Sequence, residues 1–222
     1  KIFFMFRNKA IKNINNRLFL VDLPRAMVIL FIFLQVVGML CYPGGTIHDT
    51  TTVGYSFSEN FFSGMGAYSA RNGTPNYLSM IIFSYSLTLA GLTYFIYYLK
   101  LPHILGNNRF NYIIASIGSI FAFGGSICLI GTGLTPTDLV FDIHVFFANN
   151  IFHCFLISAL SYSVVIIRNP FINKIYAAGY GFFCIAILVY VLILHFGPPV
   201  SIGQKGLIFQ VVSQKVIVIV FL

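Results

Sequence analysis

Apolar runs close to 20 residues long recur six times along this chain, separated by polar connections. A run of that length crosses roughly 30 Å of bilayer hydrocarbon as a helix rising about 1.5 Å per residue. Helices are required, because lipid cannot satisfy the backbone of an open strand. A transmembrane barrel would instead alternate apolar and polar residues over about 10-residue segments, and these runs do not alternate. Composition closes the soluble alternative. Hydrophobic residues make up 58% of the chain and charged residues 8%, with a mean hydropathy of +0.89. A soluble domain carries about 25% charged residues, and no aqueous surface is covered with so few.

The runs place spans at Ala26–Cys41, Tyr77–Leu99, Tyr112–Leu134, Leu139–Ile167, Ile175–Phe196 and Leu207–Leu222. The first and last are short. Leu18–Val21 is expected to extend the first, with Pro24 as a kink or an early helical position, and residues beyond Leu222 are expected to extend the last. No cleavable signal peptide is expected, since Ile2–Phe6 is too short for its apolar region and the basic stretch follows it. The expected organisation is one transmembrane domain over 1–222, with a basic leader at 1–25 and a long loop at 42–76.

The net charge of +8 points to nucleic acid only until its placement is considered. Lys1, Arg7, Lys9, Lys12, Arg17 and Arg25 precede the first span, Lys100 and Arg109 join the second to the third, and Arg168 and Lys174 join the fourth to the fifth. The opposite side holds only Arg71 and Lys205. Basic residues stay on the cytoplasmic side, so both ends are expected there and the 42–76 loop outside. Nucleic acid is not an expected partner; membrane lipids are, through the leader and anionic headgroups, and other membrane subunits are a further expectation. Cys41, Cys128, Cys154 and Cys184 fall in or beside different runs without metal spacing, and read as small membrane residues.

The 42–76 loop is long for a connection, and long loops in compact domains are usually functional. Tyr55, Phe57, Phe61 and Phe62 suggest a short re-entrant or interfacial helix around Phe57–Phe62, folded back on the mouth of the bundle. In the third span Gly118, Ala122 and Ser126 recur every fourth residue, which lets a neighbouring helix approach closely.

Ionisable residues inside the runs are the candidates for function. At about 100° per residue, Asp142, Asn149 and His153 share one stripe of the fourth span, expected to face the interior, with His144 on the other side. Thr137 or Asp138 is expected to cap that helix. Lys215 lies mid-depth in the sixth span, one residue from Gln214, and Asp142 is the only carboxylate within a span. These two are expected to pair. The same residues allow three readings. Asp142, His153 and Lys215 could line a proton or ion path; His48, Asp49, Asp142 and His144 could hold zinc near the outer leaflet; or the set is buried polar packing, the reading the sequence favours. No recognised catalytic motif or cofactor-ligand pair is present. His195 reads as interfacial, which leaves His153 as the one histidine well inside a span, so a bis-histidine haem is not expected.

Three segments, Tyr42-Pro43-Gly44-Gly45, Ser58 through Gly66, and Gly133 through Ala148, together resemble an uncharacterised bacterial family similar to the DRAM/Sfk-type six-helix membrane proteins. The matching positions are Asn60, Ser63 and Gly66 after the first helix, and Pro136, His144 and Ala148 entering the fourth. This chain has Gly64 where the family often has an acidic residue, and Gln214-Lys215 where it often has Glu-Arg. The resemblance implies a six-helix bundle in a bacterial cytoplasmic membrane and a role tied to lipid or membrane organisation, and it adds Asn60 and Ser63 to the candidate residues. The expectation is a non-catalytic membrane protein, an accessory subunit or lipid-interacting factor without a cofactor. A small transporter or membrane-embedded hydrolase is the alternative.

Overall fold

A computed structural model describes residues 17–222 of the chain. It is all-α, with six helices long and apolar enough to cross a membrane. They are α1 (Leu23–Cys41), α2 (Tyr77–Leu105), α3 (Arg109–Leu134), α4 (Phe141–Arg168), α5 (Lys174–Phe196) and α6 (Gln204–Phe221). A π-helical turn at Leu18–Asp22 leads into α1, which places Pro24 in its first turn. Pro24 follows the widened π register, in which Leu23 N–H donates five residues back to the Leu18 carbonyl, a local departure from the regular ladder of the kind that accommodates a residue without an N–H. Most of the expected basic leader lies outside the described residues.

Helices α2, α3 and α4 form the centre, and α4 is the most buried of the six. Small residues make this possible. A Cβ on Gly125 would lie 2.6 Å from the Phe155 ring, one on Gly118 2.9 Å from Ser161, and one on Gly91 2.7 Å from the Ser126 carbonyl. Glycines on α3 thus receive the large side chains of α4, whose buried stripe runs Ile151, Phe155, Ser158, Tyr162 and Val165. Association inside lipid depends on such close packing, since the hydrocarbon around it is as apolar as leucine.

Helix α2 continues six residues past the expected end at Leu99, through Pro102. Proline has no N–H to give the carbonyl of residue 98 and normally breaks a helix for that reason. Here the Ser119 hydroxyl, from α3, donates to the Tyr98 carbonyl at 2.5 Å. The freed acceptor is satisfied from the neighbouring helix, and α2 carries on to Leu105. Similar provisions hold the turn between α4 and α5. Lys174 Nζ donates to the carbonyls of Ile166, Ile167 and Asn169, closing the end of α4, and the Asn173 side chain caps α5 by accepting from Ile175 N–H.

The cap expected for α4 is not formed. Val140 occupies the N-cap without a side-chain bond. Asp138 turns to the 42–76 loop instead, where its two carboxylate oxygens accept from the N–H groups of Tyr68 and Ser69 at 2.7 and 2.9 Å. Two backbone donors offer a carboxylate more than one helix end would.

Candidate functional site

The 42–76 loop folds inward over one end of the bundle. Its centre is Asn60, 4% exposed. The Asn60 amide donates to the Gly45 carbonyl and accepts from Ser56 N–H, both at 2.8 Å. Gly45 has φ +85°, and a Cβ there would fall 2.3 Å from Asn72 N, so this crossing of two loop strands requires glycine. The Asn60 carbonyl accepts from the Tyr55 hydroxyl and from Lys215 Nζ, at 2.8 and 2.6 Å. Burial pushes the Tyr55 phenol well above its ordinary value, so it remains a donor into alkaline solution.

Lys215 is 2% exposed, and its Nζ sits 4.9 to 5.2 Å from the ring centroids of Tyr55, Phe57 and Phe62. Three aromatic faces and one carbonyl supply what a mid-span lysine needs. The expected pairing with Asp142 is not formed. Asp142 is exposed, and the one ion pair among the described residues joins Arg17 to Asp22. The loop descends to Lys215 instead, because its aromatic residues form a cage and not the helix expected at Phe57–Phe62. Helical structure comes one step later, as a 3-10 turn at Phe62–Gly66. Gln214 Oε1 fixes the start of that turn by accepting from Phe62 N–H at 2.9 Å. Gln204 Nε2, at the start of α6, donates to Glu59 Oε1, and His48 Nε2 lies 3.1 Å from the carbonyl of Val200 in the turn that precedes α6.

The stripe on α4 is rotated from its expected direction. His144, not Asp142, faces inward, 2% exposed. Its Nδ1 lies 2.7 Å from the Thr135 carbonyl and so carries the proton, which leaves Nε2 a buried acceptor without a partner among the described residues. Packing decides the rotation. Gly125 and Gly118 of α3 receive Phe155 and Tyr162, and His153 is carried to the flank that meets α5. There His153 Nδ1 donates to the Asn149 carbonyl at 2.9 Å, and its Nε2 meets His195 Nε2 at 3.2 Å. With the His153 proton on Nδ1, His195 must be the donor between them. His195 is therefore the partner of His153 and not merely interfacial, a contact invisible in sequence because the two lie on different helices.

Asp49 bonds within its own turn, to the Thr51 N–H and hydroxyl, and these hold its carboxyl below the usual range. Among the described residues no three His, Cys, Asp or Glu side chains gather as metal ligands, so His48, Asp49, Asp142 and His144 are not brought together.

The structure brings Ser63 to a different place. It lines, with Phe62, a cavity of about 100 Å³ bordered by α1, α2, α3, α4 and α6 under the Phe62–Gly66 turn. Phe31, Leu87, Phe152 and Val218 give it apolar walls, and Gln35, Thr132 and Gln214 are the other polar contributors. Helices α1 and α6 both line it but scarcely pack on each other, whereas each consecutive pair from α1 to α6 packs together. Gln35, missed by sequence reasoning, is 4% exposed in this wall. A lone glutamine in an apolar run was the available signal. No family model, curated protein or solved structure matches this chain.

Proposed function

We infer that this chain is a non-catalytic, multi-pass membrane protein that interacts with lipid, holding part of an acyl chain in the cavity between α1 and α6. The observation that carries this reading is the cavity itself. Phe31 on α1 and Val218 on α6 line it and are both only half-buried, so its wall has a seam where two transmembrane helices fail to close. Apolar cavities of around 150 Å³ stay dry and accept small hydrocarbons, so one of about 100 Å³ suits a few methylene groups. An acyl chain leaves one apolar medium for another when it enters, so the gain comes from dispersion and fit and not from the hydrophobic effect.

The biased placement of basic residues supports an orientation with both termini in the cytoplasm and the 42–76 loop outside. The resemblance carried by Asn60, Ser63, Gly66, Pro136, His144 and Ala148 supports membership of the bacterial six-helix family and a bacterial cytoplasmic membrane. His144 and the Lys215 cage are read as packing and loop anchoring.

Purification in mild detergent followed by native mass spectrometry tests the reading. The wild-type protein should retain lipid adducts. Ala148→Phe, which fills the cavity from α4, should lower their occupancy about fivefold or more without loss of the folded species. Equal lipid occupancy in both proteins contradicts the reading. Stoichiometric recovery within one larger assembly, with no lipid in the cavity, replaces it with that of an accessory subunit.

A further inference from the structure

Away from the cavity and the Lys215 cage, two histidines on neighbouring helices meet through their ring nitrogens. His153 is half-buried on α4, and His195 is exposed in the last turn of α5. Their Nε2 atoms are 3.2 Å apart, the one hydrogen bond between side chains of α4 and α5 among the described residues. The His153 ring is already fixed for one role. Its Nδ1 donates to the Asn149 carbonyl one turn back at 2.9 Å, so the lone pair on Nε2 is left for its neighbour. Histidines that ligate metals are oriented in the same way, the other ring nitrogen donating to a carbonyl or carboxylate. His195 brings freedom to change tautomer. Its Nδ1 has no hydrogen-bond partner among the described residues, so the proton can stand there and leave a second lone pair on Nε2.

The geometry points to a binding site for a divalent late-transition ion, zinc or copper, held between His153 Nε2 and His195 Nε2 with water in the remaining positions. This goes beyond the lipid reading and does not rest on it. Two nitrogens that share one tetrahedral ion at roughly 2.0–2.1 Å each lie about 3.3–3.4 Å apart. The observed 3.2 Å is close to that separation, so the ion enters with a small swing of each ring and no shift of either helix. Imidazole suits zinc and copper, whereas calcium and magnesium take oxygen ligands. The place is open to water. His195 stands one residue before the end of α5, and Gly197, Pro198 and Pro199 follow it. The ion replaces the N–H···N hydrogen bond, and the displaced proton moves to His195 Nδ1, so the charge of the protein itself is unchanged. Catalytic zinc has three protein ligands. Two make a binding site, one that clasps the peripheral α5 to the central α4.

The test uses the full chain in mild detergent, stripped of metal with a chelator, then titrated with Cu2+ and followed by electron paramagnetic resonance. One equivalent should bind with the hyperfine pattern of two imidazole nitrogens. His153→Gln and His195→Gln should each weaken binding by more than about tenfold, the least that losing an outer-shell partner costs. His103→Gln, in the last turn of α2, should leave binding unchanged. Thermal unfolding identifies a variant that fails to fold, and the wild type then decides. Cu2+ with ascorbate oxidises the histidines that hold it, and peptide mass spectrometry should find the oxidation on His153 and His195 and not on His48 or His103. Equal binding by the wild type and both variants, or oxidation spread over all the histidines, means an adventitious ion only and overturns the proposal. Absence of binding also overturns it and leaves the pair as a hydrogen bond. Neither result touches the lipid reading.

Discussion

At the residue scale Lys215 is the side chain whose surroundings say most about how this fold is held. A lysine in mid-span needs an acceptor, and the acceptor comes from the loop, not from the carboxylate on α4. Replacing a buried ion by an apolar side chain of similar volume is often neutral, whereas truncating it is not. Lys215→Met keeps the stem that fills the space between Tyr55, Phe57 and Phe62, and Asn60 keeps the bond from Tyr55. Its stability should lie within about 1 kcal/mol of wild type, while Lys215→Ala should lose about 2–4 kcal/mol, both read from denaturant or thermal unfolding in detergent. Tyr55 adds a pH dependence. Its folded value lies above the unfolded one, so its contribution is complete below the unfolded value near about 10 and is lost as pH rises beyond it. The melting temperature should fall on that alkaline side, and Tyr55→Phe should flatten that part of the fall.

Element by element, the spans were legible in sequence because hydropathy is a one-dimensional property. The third, fourth and fifth helices lie within a few residues of their expected edges, and Leu18–Val21 does extend the first span. What was not legible depends on neighbours. Pro102 reads as a terminator, and only Ser119, 17 positions further on and on another helix, lets α2 pass through it. This compensation is measurable as a coupling. Ser119→Ala should destabilise by about 1–3 kcal/mol, because it strands the Tyr98 carbonyl. In a Pro102→Ala background the helix supplies its own N–H, and the same substitution should be milder by about 1 kcal/mol in a double-mutant cycle. The stripe on α4 failed for a related reason. Periodicity places Asp142, Asn149 and His153 on one face, but the direction of that face is set by the glycines of α3. Gly125→Leu should accordingly destabilise by about 1–3 kcal/mol or more through its clash with Phe155, seen as a lowered melting temperature.

For the whole molecule, the centre of α2, α3 and α4 is closed, and the periphery is not. Helix α6 is joined to the loop through Lys215, Gln214 and Gln204, and scarcely to α1. The loop therefore roofs the cavity and ties down the helix that forms one side of its seam. The candidate site was only half visible in sequence. Ser63 and Lys215 were singled out, but a cavity is a gap between five helices, and Gln35 becomes conspicuous only when it is seen to line that gap. Orientation has its own check. In a Cys-free background, Thr51→Cys in intact cells should react with a membrane-impermeant maleimide, whereas labelling only after lysis would reverse the assigned topology.

An acyl chain held between α1 and α6 can be located by heavy-atom labelling of the lipid. An experimental structure in a bilayer of chain-brominated lipid should show bromine density in the cavity, in contact with Phe31 and Val218. Bromine confined to the outer faces of the bundle, with α1 and α6 packed together and the cavity closed, would mean that no acyl chain enters between them.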